Sequence, residues 1–270
     1  MTPASEALSG TTGTGIVPAV HWLLTIEPDG RPGSENMAVD VALLEDAHRT
    51  GTARLRLYRW DPPCLSFGCH EPALTRYHRP RVEALGLDVV RRPTGGRAVW
   101  HDRELTYAVA APIAAFGSLR DAYRTIHERL AAALRTLGAD TRLAPTRPPV
   151  RLTDGRGACF AASVGGEILI DGRKVVGSAQ LRHGRAFLQH GSILLDGSQA
   201  QVTAVSREQG AGTGETSLRA ALARVVTFDE VAAAIVATWP SDLTSSPRDP
   251  IPLRPPLAAR FSDPSWTWRR

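Results

Sequence analysis

Cysteine is scarce, with three in 270 residues. An odd, small number in a chain this long argues against a disulfide scaffold and for a reducing, cytoplasmic setting in which thiols stay free for chemistry. Long apolar runs are missing too. None approaches the ~18 residues needed to span a bilayer, so no membrane partner is expected. The opening stretch MTPASEALSGTTGTG has neither a cationic start nor an apolar centre. It reads as a loose tail over residues 1–18, not as a secretory signal or an anchor. Dense basic runs are also lacking, since lysines and arginines fall together mostly in pairs such as Arg91-Arg92, Arg173-Lys174 and Arg269-Arg270. With no zinc-finger spacing and no aromatic-rich basic strand either, nucleic acid is not the expected partner.

What is present is an ordinary globular balance. Apolar residues make up 43% and charged residues 22%, enough to bury a real core. The net charge of +5 favours encounter with acidic proteins or an anionic small substrate. After the tail, residues 19–240 read as one mixed α/β domain. Residues 241–270 read as a Pro-rich C-terminal strap, extended over SDLTSSPRDPIPLRPPLAA.

Three helices announce themselves. SENMAVDVALLEDAHRTG carries apolar residues at Met37, Val41 and Leu44 and stops at Gly51. SLRDAYRTIHERLAAALRTLG starts at Ser118, runs an apolar stripe through Ile126, Leu130, Leu134 and Leu137, and ends at Gly138. TFDEVAAAIVATW opens with a capping box, Thr227 and Glu230. Strands are expected in ARLRLYRW, which alternates apolar and basic residues, and in LDVVRR, RAVWHD and ELTYAVAAP. Further strands are GEILID, RKVVGSAQLR and AFLQHGSILL, split by Asp171-Gly172 and His183-Gly184 turns. Tight turns, rather than helices, join these runs. The fold class is therefore α/β (α+β), with a mixed, largely antiparallel sheet flanked by helices.

Three stretches can carry chemistry. In RRPTGGRAVWHD, Gly95 and Gly96 sit between strands, where backbone can approach a ligand closely; a plain hairpin turn is the alternative. It is neither a dinucleotide fingerprint nor a phosphate loop, because the glycine spacing is wrong. Cys159, with Gly157, Ala158, Ala161, Ala162 and Ser163 around it, sits in a loop-like context, although a free cysteine is usually an inert filler. Lys174 follows a hairpin turn, shares a strand face with Val176, Ser178 and Gln180, and alternates with Arg173, Val175 and Gly177. One of the two cations must point inward. Beside Cys159, Lys174 can favour the thiolate and stabilise a carbonyl oxygen under attack. His101 and His190 each sit on a strand, as hydrogen-bonded structural histidines commonly do. Cys64, Cys69 and His70 fit neither zinc nor haem spacing, so no metal is expected.

Taken together, NMA with Asp40, LYRWDPPCLSFG, RRPTGGRAVWHDRELTYAV, ACF, GRKVVGSAQ and LQHGSILL resemble the biotin/lipoate protein ligase superfamily. Within it they are most similar to the octanoyl-[acyl carrier protein]:protein N-octanoyltransferases of the LipM type. The likeness runs from about Met37 to about Leu195 and weakly to about Trp239. It implies a mixed sheet with the acyl group in a groove near the glycine-rich turn. It implies that Cys159 takes octanoyl from octanoyl-acyl carrier protein as a thioester and that Lys174 contacts the acyl carbonyl. The acceptor would be a lysine of a lipoyl domain, on the glycine cleavage H protein or a 2-oxoacid dehydrogenase E2 subunit. Substrate contacts are implied at Arg92, Thr94, Gly95, Gly96, Arg97, Ala98 and His101, and at Gly177, Ser178, Ala179, Gln180, His190 and Gly191. No cofactor is implied.

The rivals on the same fold are an ATP- and Mg-dependent lipoate–protein ligase and an amidotransferase between lipoyl proteins. Ligases usually carry a third glycine where Arg97 stands, an additional C-terminal domain, and no need of a cysteine at Cys159. A second octanoyltransferase type places its cysteine after the lysine; here Cys159 precedes Lys174. A non-catalytic binder would be indifferent to Cys159→Ala. One departure is that Ala161-Ala162-Ser163-Val164 stands where the family has an Asp/Pro-containing segment.

Overall fold

A computed structural model describes residues 20–145, 166–208, 214–240, 242–245 and 254–269. In chain order the first elements are β1 (Trp22–Arg31), α1 (Gly33–Thr50), β2 (Ala53–Trp60), β3 (Cys64–Phe67), α2 (Ala73–Arg76), α3 (Arg79–Ala84) and β4 (Asp88–Arg91). Next come β5 (Val99–His101), β6 (Glu104–Pro112), α4 (Leu119–Thr136), β7 (Thr141–Leu143), β8 (Ile168–Ile170), β9 (Arg173–Lys174), β10 (Val176–His183) and β11 (Ala186–Leu194). Last are α5 (Ala200–Val205), α6 (Leu218–Leu222), α7 (Phe228–Thr238), β12 (Leu243–Ser245), α8 (Pro255–Ser262) and α9 (Pro264–Thr267).

The helix signals act as the sequence suggests. Gly51 ends α1 in the left-handed region, at φ +80°, where a side chain would be strained. The Ser118 hydroxyl accepts from the Asp121 N–H at the start of α4. Thr227 and Glu230 close the reciprocal capping box on α7.

The main sheet has six strands in the order β10-β11-β6-β2-β1-β12. From β10 to β2 every neighbour is antiparallel. β1 pairs parallel with β2 because α1 carries the chain back across the sheet, and β12 adds parallel to β1. β3 and β4 are likewise parallel, joined by α2 and α3, beside antiparallel β5. The sheets are thus mixed and largely antiparallel, and helices, not only tight turns, make the connections. α1 covers one face of the main sheet, over Tyr58, Trp60, Ala108 and Leu188. α4 and α7 cover the other, over Leu55, Tyr107, Val109 and Phe187.

Two local expectations need correction. The alternation of ARLRLYRW does not sort its residues into a buried and an exposed face, because Arg56 is as buried as Leu55 and Leu57 while Arg59 is exposed. The Pro-rich tail is not extended throughout. Pro255 and Pro256 occupy the first turn of α8, where a missing N–H costs nothing, and Phe261 inserts against α1. Arg91 staples this segment, donating to the carbonyls of Trp266, Thr267 and Arg269.

Candidate active site

The PTGG turn between β4 and β5 is held from inside by Arg92. Its Nη1 donates to Ser66 O and Oγ, both at 3.0 Å, and its Nη2 to the carbonyls of Gly95 (3.0 Å) and Arg97 (2.6 Å). Gly96 takes φ +92°. Gly68, just after β3, lies so close under the turn that an added Cβ would collide with the Gly96 carbonyl. Gly68→Ala is therefore expected to lower stability by about 1–3 kcal/mol, read as a fall in Tm, since backbone must move to admit the methyl.

Two histidines flank the space beside this turn, and each is clamped at both nitrogens. His190 Nδ1 meets Asp40 Oδ2 at 2.8 Å and its Nε2 meets Thr94 Oγ1 at 2.6 Å. His101 Nδ1 meets Glu104 Oε1 at 2.8 Å and its Nε2 meets Ser66 Oγ at 2.7 Å. A carboxylate only accepts, so each Nδ1 carries the proton. Ser66 Oγ also accepts from Arg92. Trp60 stacks on His101 at 4.0 Å, and its indole N–H donates to Thr106, whose hydroxyl donates on to Glu104. Ser192 donates to the other Glu104 oxygen. Asp40 likewise accepts from Arg56 (2.9 Å) and Tyr58 (2.9 Å). Burial, and then the Asp40 charge, push the Tyr58 hydroxyl well above its ordinary pKa, so it stays a donor.

Between these clamps lies a narrow cleft. Its walls come from α1 (Met37), β2 (Tyr58, Trp60), β5 (Val99) and the glycine-bearing strands β10 and β11, and most of that wall is apolar. With both imidazoles committed, the histidines offer ring carbon rather than free nitrogen. Arg92, His101, Gly177, Ser178, Ala179, His190 and Gly191 line this cleft. Thr94, Gly95, Gly96, Arg97 and Ala98 form the turn behind it, and Ala98 is buried in a separate small core. Gln180 points to the α4 side, donating to Leu119 O and Gln189.

Cys159 lies outside the described residues. Lys174 points inward, as one of the two cations must, while Arg173 is exposed. Its ammonium is buried and 2.5 Å from Glu167 Oε1. The expected strand alternation breaks here, because Val175 and Val176 are both buried where the chain passes from β9 to β10. Cys64 is sealed in the core, where burial and then Asp88 raise its thiol well above the usual range. Among the described residues no cluster of His, Cys, Asp and Glu fits a metal ion, and no helix is long and apolar enough to cross a membrane.

Sequence reasoning passed over Ser66, Glu104, Glu167 and His127. The available signal was a polar group on an otherwise apolar face: Glu104 opening ELTYAV, His127 beside Ile126 in the stripe of α4.

Residues 32–239 match the family model of the lipoyl protein ligase A/B catalytic domain. The chain belongs to that family. Among its relatives are octanoyltransferases LipM of Kyrpidia tusciae, 43% identical over 180 residues (64% of this chain, 65% of that one), and of Moorella thermoacetica, 43% over 185 residues (66% and 67%). The LipM of Carboxydothermus hydrogenoformans is 41% identical over 167 residues, or 60% of this chain. The chain spans 61% to 67% of the length of these three relatives. The same fold occurs in a crystal structure of lipoate-protein ligase A bound with ATP (TM-score 0.68, 21% identity, 92% of this chain and 98% of that one). It also occurs in a bipartite lipoate protein ligase from Thermoplasma acidophilum (TM-score 0.70, 19% identity, 93% and 97%). The mixed sheet flanked by helices is thus the family fold, and Asp40, the PTGG turn and both clamped histidines fall within the matched residues.

Proposed function

We propose that this protein transfers an octanoyl group from octanoyl-acyl carrier protein to a lysine of lipoyl domains, through a thioester on Cys159. The observation that carries the reading is the cleft, mainly apolar and with both of its histidines tied off. Such a wall suits an alkyl acyl chain and gives no free base to hydrolyse it. The LipM name of relatives at 41% to 43% identity supports the same reaction class.

In the first step the Cys159 thiolate attacks the donor thioester carbon and the carrier thiolate leaves. In the second the ε-amine of the acceptor lysine attacks, the amide forms, and Cys159 leaves as thiolate and takes the amine's proton. Exchange between thioesters is nearly isoenergetic and amide formation is downhill, so neither ATP nor Mg is required. Lys174 supplies positive charge where the carbonyl oxygen gains negative charge. The thiol chemistry suits a reducing cytoplasm. The positive net charge favours acidic carriers met in turn.

Intact-protein mass spectrometry tests this. Wild type and Cys159→Ser are mixed with octanoyl-acyl carrier protein without ATP. One octanoyl group is expected on wild type only, removable by neutral hydroxylamine and discharged by a lipoyl domain. No adduct on wild type, with lipoyl-domain modification only when octanoate or lipoate and ATP are supplied, would make the protein a ligase.

A further inference from the structure

Lys174 has a fixed main chain and a long, flexible side chain. Its N–H donates to Gly214 O (3.0 Å) and its carbonyl accepts from the Thr216 N–H (2.9 Å). What steers the ammonium is Glu167, at 2.5 Å, and both groups are buried. Glu167 is anchored in turn, because its carbonyl accepts from the Ala144 N–H (2.7 Å), and the neighbouring Gly166 N–H donates to Ala144 O (2.8 Å).

The Gly166 carbonyl is held by His127, a fully buried residue of α4. Hydrogen-bond directions here follow from the donor and acceptor inventory together with the distances. A carbonyl only accepts, so His127 Nδ1–H donates to Gly166 O at 2.6 Å, and Nε2 is left as an acceptor. Gln189 Nε2 donates to the Tyr107 oxygen at 2.9 Å. His127 Nε2 can accept from Ser178 Oγ at 2.8 Å or from Tyr107 at 3.4 Å; the shorter contact assigns the Ser178 proton to His127 and the Tyr107 proton to Ser178 Oγ at 2.7 Å. The series runs one way, from Gln189 through Tyr107, Ser178 and His127 to Gly166, with every proton used. Gly191 makes room for it, since a Cβ there would stand 2.5 Å from Ser178 Oγ and 2.7 Å from Tyr107. Burial lowers the His127 pKa to about 4, which keeps the ring neutral and the series intact at pH 7.

We propose that Glu167 and His127 are positioning residues for Lys174: the carboxylate aims the ammonium, and the histidine fixes the Gly166–Glu167 strand start from which it does so. This rests on Lys174 acting in the acyl transfer proposed above. Among the described residues, neither Glu167 nor His127, nor Lys174 itself, lines the cleft, so the two act through the lysine and not by touching its apolar wall.

Steady-state transfer from octanoyl-acyl carrier protein to a lipoyl domain tests the assignment, with Lys174→Met alongside. Glu167→Gln keeps volume and loses the charge. It is expected to lower kcat roughly tenfold with KM for both carriers within about twofold, because a misplacement of the order of 1 Å is costly in the chemical step. Asparagine at His127 places an amide N–H near Nδ1 and can still reach Gly166, whereas glutamine replaces only Nε2. His127→Asn should therefore retain kcat within about threefold while His127→Gln loses about tenfold. A uniform packing role would not separate the two. Glu167→Gln with wild-type kcat while Lys174→Met is inactive overturns this inference alone. Full activity in Lys174→Met overturns the role given to the lysine, and the inference with it. Glu167→Asp, one methylene shorter, is a second test should the glutamine variant fail to fold; wild-type kcat there overturns the aim assigned to the carboxylate.

Discussion

Asp40→Ala is expected to cost about 3–5 kcal/mol of folding stability, the usual loss when one partner is removed from a buried ion pair. Asp40 is wholly buried and accepts three hydrogen bonds, from Arg56, Tyr58 and His190. Burial alone would lower the Arg56 pKa; the charges of Asp40 and Glu27 more than reverse that, and the guanidinium stays ionised. Without Asp40 the Tyr58 hydroxyl and the His190 Nδ1–H are left as buried donors, each an added cost of about 1–3 kcal/mol if unmet. Glu27 still pairs with Arg56 at 2.5 Å and limits the damage. The loss also reaches the cleft, since His190 links Asp40 on α1 to Thr94 in the glycine-rich turn. Urea unfolding measures the effect as a lower midpoint at unchanged slope. Adding Arg56→Met to Asp40→Ala should cost less than the two single changes summed, because the uncompensated charge is gone. A single-variant loss under about 1 kcal/mol would mean that water reaches the site and the pair is not buried in solution.

The parts of this arrangement differ in how far the sequence disclosed them. Local signals were legible: the capping residues of α1, α4 and α7, the Asp171-Gly172 turn, and the need for one of Arg173 and Lys174 to face inward. What escaped was pairing at a distance. Arg56 sits in an alternation of apolar and basic residues that names no partner, and its partners Asp40 and Glu27 lie 16 and 29 residues away. His101 and His190 were legible as strand residues, but the carboxylates that tie them off depend on how α1, β6 and β11 stack. The helices α8 and α9 escaped because composition speaks for proline, while burial of Phe261 and the Arg91 staple decide the outcome. Glu167 escaped for the same reason, since its partner Lys174 lies across the β8–β9 turn and only burial of both reveals the pair.

His127 should make stability depend on pH between about 4 and 6.5. The folded ring has its pKa lowered to about 4, first by burial and then by the nearby Lys174 charge, against a raising contribution from the Gly166 carbonyl. In the unfolded chain it returns to about 6.5. Between those values the unfolded state binds the extra proton, so stability rises with pH. The contribution is complete above about pH 6.5 and is lost as pH falls to about 4; the gap is worth about 3 kcal/mol. The structural cause is specific. A proton on Nε2 would face the Ser178 hydroxyl, which already points its own proton there, and would put a second cation near Lys174. Carboxylates whose pKa is lowered, such as Glu27, act in a lower range, since they lose their contribution only below about 4.5. Urea midpoints at pH 7, 6 and 5 for wild type and His127→Asn separate the two. Wild type should lose about 1–2 kcal/mol by pH 5 and the asparagine variant much less. Parallel curves would mean that the ring is hydrated in solution, and the one-way hydrogen-bond series ending at Gly166 would fall with that result.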